Sequence, residues 1–322
     1  MAEQPDTAAV LLATAGYDST IRFWEAWSGV CSRTINHPES INRLAISPNK
    51  KYLAAAGSQS IKLYDIAVAG LGPSGQNPGH GVVASFEGHT ANVTCLAWHC
   101  DGKWIVSGSE DGSIRIWDTR AATVQRNFDS KSPVNDVVIH PNQGELVSCD
   151  QAGSIKVWDL TANNCTHELL PEEDTPMRSV SVAQDGSCLV GGNNAGRVYI
   201  WSIRNGSDFT DLQPKTKFDA HDKYLIRCML SPDGKTLATC SADTTIKTWA
   251  WDGNTCRHDK TLTGHQRWVW DMAFSADSAY LVSASSDHVA RLWDVATGTT
   301  VRQYSGHSKA AVCVALNDIN VP

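Results

Sequence analysis

Apolar residues along this chain fall in short runs rich in Val, Ile, Leu and Trp, and clusters of Asp, Gly, Ser, Asn or Pro separate one run from the next. The stretch from residue 88 to 118 shows the pattern most cleanly. Its runs Val93–Trp98, Trp104–Gly108 and Ile114–Trp117 have strand length, with turn signals at Cys100-Asp101-Gly102 and Glu110-Asp111-Gly112 between them. That predicts a three-stranded meander. Asp111 follows Ser107 by four residues and precedes Trp117 by six, so Ser, turn Asp and Trp can meet on one flank of a hairpin. His89 supplies a fourth group.

The spacing recurs in Thr14-Asp18-Trp24, Thr239-Asp243-Trp249 and Ser283-Asp287-Trp293, with His307, His221 and His265 before the matching inner strands. Weaker copies close on Tyr64, Trp158 and Trp201, which makes seven repeats. Periods of about 40 to 45 residues with Gly-His and Trp-Asp punctuation resemble the WD-repeat β-propeller, an all-β fold with four strands to a blade. The chain then divides into an N-terminal tail (1–9), one seven-bladed propeller (10–317) and a C-terminal tail (318–322). The first blade has Val10–Ala15, Ile21–Trp24 and Ser32–Ile35 but no inner strand, whereas Ala311–Leu316 stands alone at the other end. The C-terminal strand is therefore expected to join the N-terminal blade and close the ring, burying edges that would otherwise template pairing. His307 would complete the Thr14, Asp18, Trp24 group across that seam.

Three blades depart from the pattern. Blade two has Gln59 for the turn Asp and Tyr64 for the Trp, and a Gly-rich loop (67–81) precedes its outer strand, Val82–Phe86. That loop is either a neutral insertion or a binding loop. Blade four, Val134 through Asp159, has Ala152 at the Asp position and lacks Gly-His, so packing alone is expected to hold it. Blade five opens on PEEDTP, has Ala195 at the Asp position, and places its outer strand within Phe209–Phe218. Such loosening marks either drift or a place where a partner supplies constraint.

Charge and cysteine usage narrow the functions. With 27 basic and 34 acidic residues the 322-residue chain carries net −7, which argues against a nucleic-acid surface. Met1–Asp6 has no basic leader character and Val10–Ala15 is too short to span a bilayer, so an intracellular, cytoplasmic protein without membrane insertion is expected. The ten cysteines fit reduced core thiols. His99-Cys100 has no second pair at ligand spacing, so no metal and no cofactor is expected.

A hydroxyl, a His and an Asp together invite a nucleophilic-triad reading. Four copies, each with a Trp whose indole N–H needs an acceptor, instead predict structural hydrogen-bond sets and no enzyme. What remains is surface. The residues opening each inner strand should ring the channel mouth: Ser40 and Asn42, Asn92 and Thr94, Pro133 and Asn135, Tyr224 and Ile226, Trp268 and Trp270. The residue before the turn Asp, Tyr17 in blade one, reaches the same rim. Aromatics among Asn and Ser there have the composition of a protein-binding hot spot, the other reading being that both Trp are inter-blade core.

The blocks LLATAGYDSTIRFW, LQPKTKFDAHDKY, LSPDGKTLATCSADTTIK, WVWDMAFSADS and VSASSDHVARLWD, which reach both ends of the chain, resemble the small G-protein-β-like subunit of target-of-rapamycin kinase complexes. The resemblance implies a non-enzymatic scaffold for nutrient and growth signalling that docks by its rim on an insertion in the kinase domain's C-terminal lobe and steadies the active cleft. It would be a monomeric propeller within a hetero-oligomer, and peripheral on endomembranes through that complex. The matching rim positions are Ser40, Asn42, Trp268 and Trp270; Tyr17 and Tyr224 come from propeller geometry. A rival function is a substrate receptor of a cullin-based ubiquitin ligase, since Trp117-Asp118-Thr119-Arg120 fits the WDxR box of such receptors.

Overall fold

The computed structural model describes residues 10–66, 81–205 and 210–318. Within them, 28 strands form seven antiparallel four-stranded sheets, the blades of a closed propeller. Blade one joins the two ends of the chain: Ala311–Asn317 pairs with Leu11–Gly16, placing Leu12 opposite Leu316 and Thr14 opposite Val314, and Thr20–Trp24 and Cys31–Asn36 complete the sheet. The other inner strands, in blade order, are Arg43–Ile46, Val93–Trp98, Val134–Ile139, Met177–Val182, Leu225–Leu230 and Val269–Phe274.

Sequence pattern follows depth in the blade. The second strands, such as Trp104–Ser109 and Glu145–Asp150, are buried almost throughout because blades cover both faces, as expected of two-sided burial. Third strands such as Ser113–Asp118 alternate, and outer strands such as Thr123–Asp129 are mostly exposed. The core is a series of apolar clusters between successive blades. In one, Ala54, Ile61, Leu63 and Phe86 of blade two meet Val93, Leu96, Ile105 and Trp117 of blade three. Each large side chain buried this way contributes about 1.5–3 kcal/mol, so inter-blade packing dominates cohesion.

Most expected boundaries lie within one or two residues of the observed strands. The outer strand of blade five is Thr210–Asp219; Phe209, the two tails and the Gly-rich loop fall outside the described residues except for Gly81 and Asp318.

A feature absent from the alternation pattern fixes the channel mouth. The inner strands bulge one residue after they begin: the register slips between Val93 and Cys95, Val134 and Asp136, Met177 and Ser179, Leu225 and Arg227, Val269 and Asp271, and Ala311 and Cys313. The inserted residues are Thr94, Asn135, Arg178, Ile226, Trp270 and Val312. In blade two Asn42 takes the same place, its N–H donating to Ala56 O at 2.8 Å. A bulge re-aims one side chain without disturbing the rest of the ladder. Here it turns six of these seven side chains, all but Asn135, onto one cavity of about 230 Å³ at the channel mouth.

Candidate functional site: the channel rim

The rim stands on four buried polar sets, which the structure assembles from the residues the spacing singled out. In blade three His89 Nδ1 lies 2.8 Å from Asp111 Oδ2, His89 Nε2 lies 2.8 Å from Ser107 Oγ, and Trp117 Nε1 donates to Ser107 Oγ at 2.8 Å. His221, Asp243, Thr239 and Trp249 repeat this in blade six at 2.7, 2.9 and 3.0 Å, and His265, Asp287, Ser283 and Trp293 in blade seven at 2.8 Å throughout. Across the seam, His307 reaches Asp18 at 2.9 Å and Thr14 at 2.8 Å, and Trp24 Nε1 donates to Thr14 at 2.8 Å.

The proton arrangement follows from the donors. With Nδ1–H donating to the carboxylate, Nε2 accepts the hydroxyl proton and the hydroxyl oxygen accepts from the indole. Burial lowers the pKa of His89 and His307 despite their Asp partners, so both imidazoles are neutral at neutral pH. Burial raises Asp243, but hydrogen bonds from His221 and Thr245 outweigh it and hold the carboxyl at about 2. All four hydroxyls, on Thr14, Ser107, Thr239 and Ser283, are 0% exposed. No substrate atom can reach them, which separates these sets from a catalytic triad.

The three irregular blades are not held by packing alone. In blade four Lys156 takes the place of the imidazole: its ammonium donates to Ser130 O at 2.6 Å and Asp150 Oδ2 at 2.9 Å, while Trp158 Nε1 keeps its bond to Ser148 Oγ at 2.8 Å. Blade five uses Glu172 from the PEEDTP segment, which accepts from Asn193 at 2.8 Å, Tyr199 OH at 2.8 Å and Arg197 at 2.5 Å. Blade two retains half a set. His37 stands in the His position with Nδ1 2.9 Å from Glu39 O, yet its Nε2 and the Tyr64 hydroxyl are buried without partners among the described residues.

Beneath the mouth lies an ion network that the sequence reading missed. The residue after each bulge faces the axis, giving the ring Arg43, Cys95, Asp136, Ser179, Arg227, Asp271 and Cys313. Arg43 spans the channel, donating to Asp271 Oδ1 at 3.1 Å and Asp136 Oδ1 at 3.3 Å. Arg227 Nε approaches Asp271 Oδ1 at 2.9 Å, an ion contact without hydrogen-bond alignment. Asp136 also accepts from Ser179 Oγ at 2.9 Å, and Asp271 from Val314 N at 3.0 Å. Burial works against the charge on Arg43, but the two carboxylates outweigh it and raise its pKa. A charged residue inside an apolar strand at one position in four blades was the available signal.

Around this floor the rim divides in two. In blades two to four the bulge side chain ties its blade to the next: Asn42 Nδ2 donates to Val93 O at 3.2 Å, Thr94 Oγ1 to Val134 O at 2.7 Å and Asn135 Nδ2 to Met177 O at 2.6 Å. Asn42 is thereby committed to the scaffold, and Ser40 is exposed ahead of Ile41 without lining the cavity. Blades six, seven and one carry the aromatics. Tyr224 is 52% exposed, Trp268 42% and Tyr17 42%, whereas Trp270 is half-buried and its indole N–H donates to Ser286 Oγ at 2.5 Å. Alternation would give both Trp one environment; the bulge at Trp270 gives them different ones. Tyr224 packs edge-on against Trp268 at 6.2 Å between centroids, and Trp268 lies 5.6 Å from Trp270.

Among the described residues no three His, Cys, Asp or Glu side chains converge as metal ligands would, and no helix is long and apolar enough to cross a membrane. Arg120 is an exposed turn residue whose N–H donates to Asp118 Oδ1 at 2.8 Å, the ordinary geometry of the loop after a third strand.

A closed seven-bladed propeller with buried Trp–hydroxyl–His–Asp sets and an aromatic rim defines a WD-repeat protein. Residues 29–65, 81–118, 122–159, 212–250 and 256–294 match the family described as WD domain, G-beta repeat. Within that class, the chain belongs to the family of the target of rapamycin complex subunit LST8. It is 59% identical over 320 residues to target of rapamycin complex subunit wat1 of Schizosaccharomyces pombe, covering 99% of each chain. To the LST8 subunit of Saccharomyces cerevisiae it is 55% identical over 312 residues, covering 97% of this chain and 100% of the relative. The mouse LST8 subunit is 42% identical over 320 residues, covering 96% and 95%. These relatives lend no support to the ubiquitin-ligase reading.

Proposed function

We propose that this chain is a non-catalytic subunit of target-of-rapamycin kinase complexes that docks by its channel rim on an insertion in the C-terminal lobe of the kinase domain and steadies the active cleft. One observation carries the reading: Tyr224, Trp268 and Trp270 form a contiguous aromatic band and Tyr17 lines the same mouth cavity as Trp270, whereas blades two to four present polar side chains to the rim. Exposed aromatics in a cluster supply anchor energy on binding and contribute little to folding. The names of the close relatives supply the identity of the complex. In this reading Ser40 contributes a polar contact at the edge of the band and Asn42 acts by holding blade two to blade three. The protein works as one propeller per kinase, in the cytoplasm and on endomembranes through its partners, without touching nucleic acid or entering the bilayer.

A tagged copy purified from its own cells tests this. The target-of-rapamycin kinase should accompany it in near-equal amount; a cullin-ligase adaptor in its place would refute the proposal.

A further inference from the structure

The seven bulge side chains are unequal in a way that docking alone does not explain. Those of blades two, three and four spend their polar atoms on the next blade's carbonyl. The remaining four, Arg178, Ile226, Trp270 and Val312, sit on consecutive blades and make no such clamp. Ile226 and Val312 have no polar atoms to offer, and Trp270 is bonded to Ser286 within its own blade. Arg178 is different. It is half-buried, lines the mouth cavity, and its guanidinium has no ion pair or hydrogen bond among the described residues.

Below it, Arg43 and Arg227 are already matched by Asp136 and Asp271. The carboxylate of Glu110, also on the mouth, accepts from Asn92 at 2.8 Å. Three cations, Arg43, Arg178 and Arg227, thus share the mouth with three carboxylates, Glu110, Asp136 and Asp271. Arg178 is the one of the three cations that no carboxylate reaches among the described residues, and it is set beside Ile226 and Trp270, whose apolar surfaces weaken its hydration and strengthen its pull on an anion. The adjoining groove beneath Trp268 adds Lys223 and Arg267, and no carboxylate lines it.

We infer that the open half of the mouth is a carboxylate site: one acidic side chain of the docked partner segment enters it and pairs with the Arg178 guanidinium while its methylenes lie against Trp270 and Ile226. The inference rests on the docking proposal and adds the chemistry of the partner. A cavity of about 230 Å³ has room for a single side chain and not for a strand or helix. A planar guanidinium binds a carboxylate through two parallel N–H···O bonds, so position as well as charge is read.

The test uses the full-length protein bound to the kinase and follows dissociation across a range of salt. Arg178→Gln should melt like the parent, release the kinase about tenfold faster at physiological salt, and show a flatter salt dependence; Arg178→Lys should fall between them. If Arg178→Gln releases the kinase at the parent's rate while Trp268→Ala with Trp270→Ala lets it go, docking stands and the carboxylate site is overturned. If every variant holds the kinase like the parent, docking fails and the inference with it. A parent complex whose dissociation ignores salt would overturn the inference without any variant. Inorganic phosphate titrated into the free protein is the last arm: binding that Arg178→Gln abolishes, with kinase dissociation unchanged, gives the site to a free anion and overturns the assignment to the partner.

Discussion

Replacing Ser283 with Ala isolates what one buried set contributes. The Ser283 hydroxyl is 0% exposed, accepts from Trp293 Nε1 and pairs with His265 Nε2, both at 2.8 Å. Removing one oxygen leaves no cavity of consequence but strands an indole N–H and an imidazole nitrogen inside the blade. Each orphaned buried group costs about 1–3 kcal/mol, so the substitution should destabilise by roughly 2–6 kcal/mol. Blade two supplies the reverse experiment. Leu53 faces Tyr64 as Ile105 faces Trp117, so Ala55 occupies the place of Ser107, beneath the unpartnered His37 Nε2 and Tyr64 hydroxyl. Ala55→Ser should therefore stabilise by about 1 kcal/mol, the net worth of one restored hydrogen bond. Urea unfolding followed by tryptophan fluorescence reads both. If Ser283→Ala unfolds within about 0.5 kcal/mol of the parent, the level of an ordinary surface change, the set does not hold the blade together and the structural argument is wrong.

Three further outcomes follow from the same geometry. Arg43→Met leaves two axial carboxylates with only Arg227 to oppose them and should cost about 3–5 kcal/mol; a parent-like unfolding curve would contradict the axial network. Acidification should destabilise the polar sets in two steps: the native pKa values of His89, His307 and Asp243 all lie below their unfolded values, so at these groups the unfolded chain binds more protons and stability present at neutral pH is lost on the way down. The axial Asp136 and Asp271, whose pKa values burial raises, offset part of the loss. The melting temperature should hold above about pH 7, fall through the histidine range near 6.5 and fall again below about 4, whereas a rise between pH 7 and 5 would refute the assigned protonation states. Deleting residues 306–322 removes both His307 and the closing strand and should give an aggregating protein; a soluble monomer with the parent's melting temperature would refute closure through blade one.

The strands, the seven blades, the seam and the four polar sets were legible because each rests on a local rule: period-two alternation, turn residues, and a hydroxyl, Asp and Trp at fixed spacing. The rim was legible only in part. Counting two residues on from the opening position reaches Trp270, Thr94 and Ile226, but these side chains meet the mouth because of a bulge, which has no residue signature here and breaks the alternation on which the reading relied. The same break sends Arg43, Asp136, Arg227 and Asp271 to the axis, partners from distant blades whose pairing no spacing rule connects. Lys156 and Glu172 were hidden for another reason: each does the work of a missing His or Asp from a different position. His37 could have been found, since it precedes Ile41 by the same four residues that separate His89 from Val93.

Docking by the rim is tested most directly by Trp268→Ala combined with Trp270→Ala, measured as kinase retained on the purified protein alongside a thermal melt. Truncating an anchor Trp costs at least about 2 kcal/mol of binding, roughly thirtyfold in affinity, while the exposed Trp268 contributes little to the blade and Trp270 contributes its half-buried packing and one hydrogen bond to Ser286. The double variant should fold with the parent's circular dichroism, melt within a few degrees of it, and lose the target-of-rapamycin kinase, whereas Arg120→Ala should keep it. A folded double variant that retains the kinase in full would contradict the account.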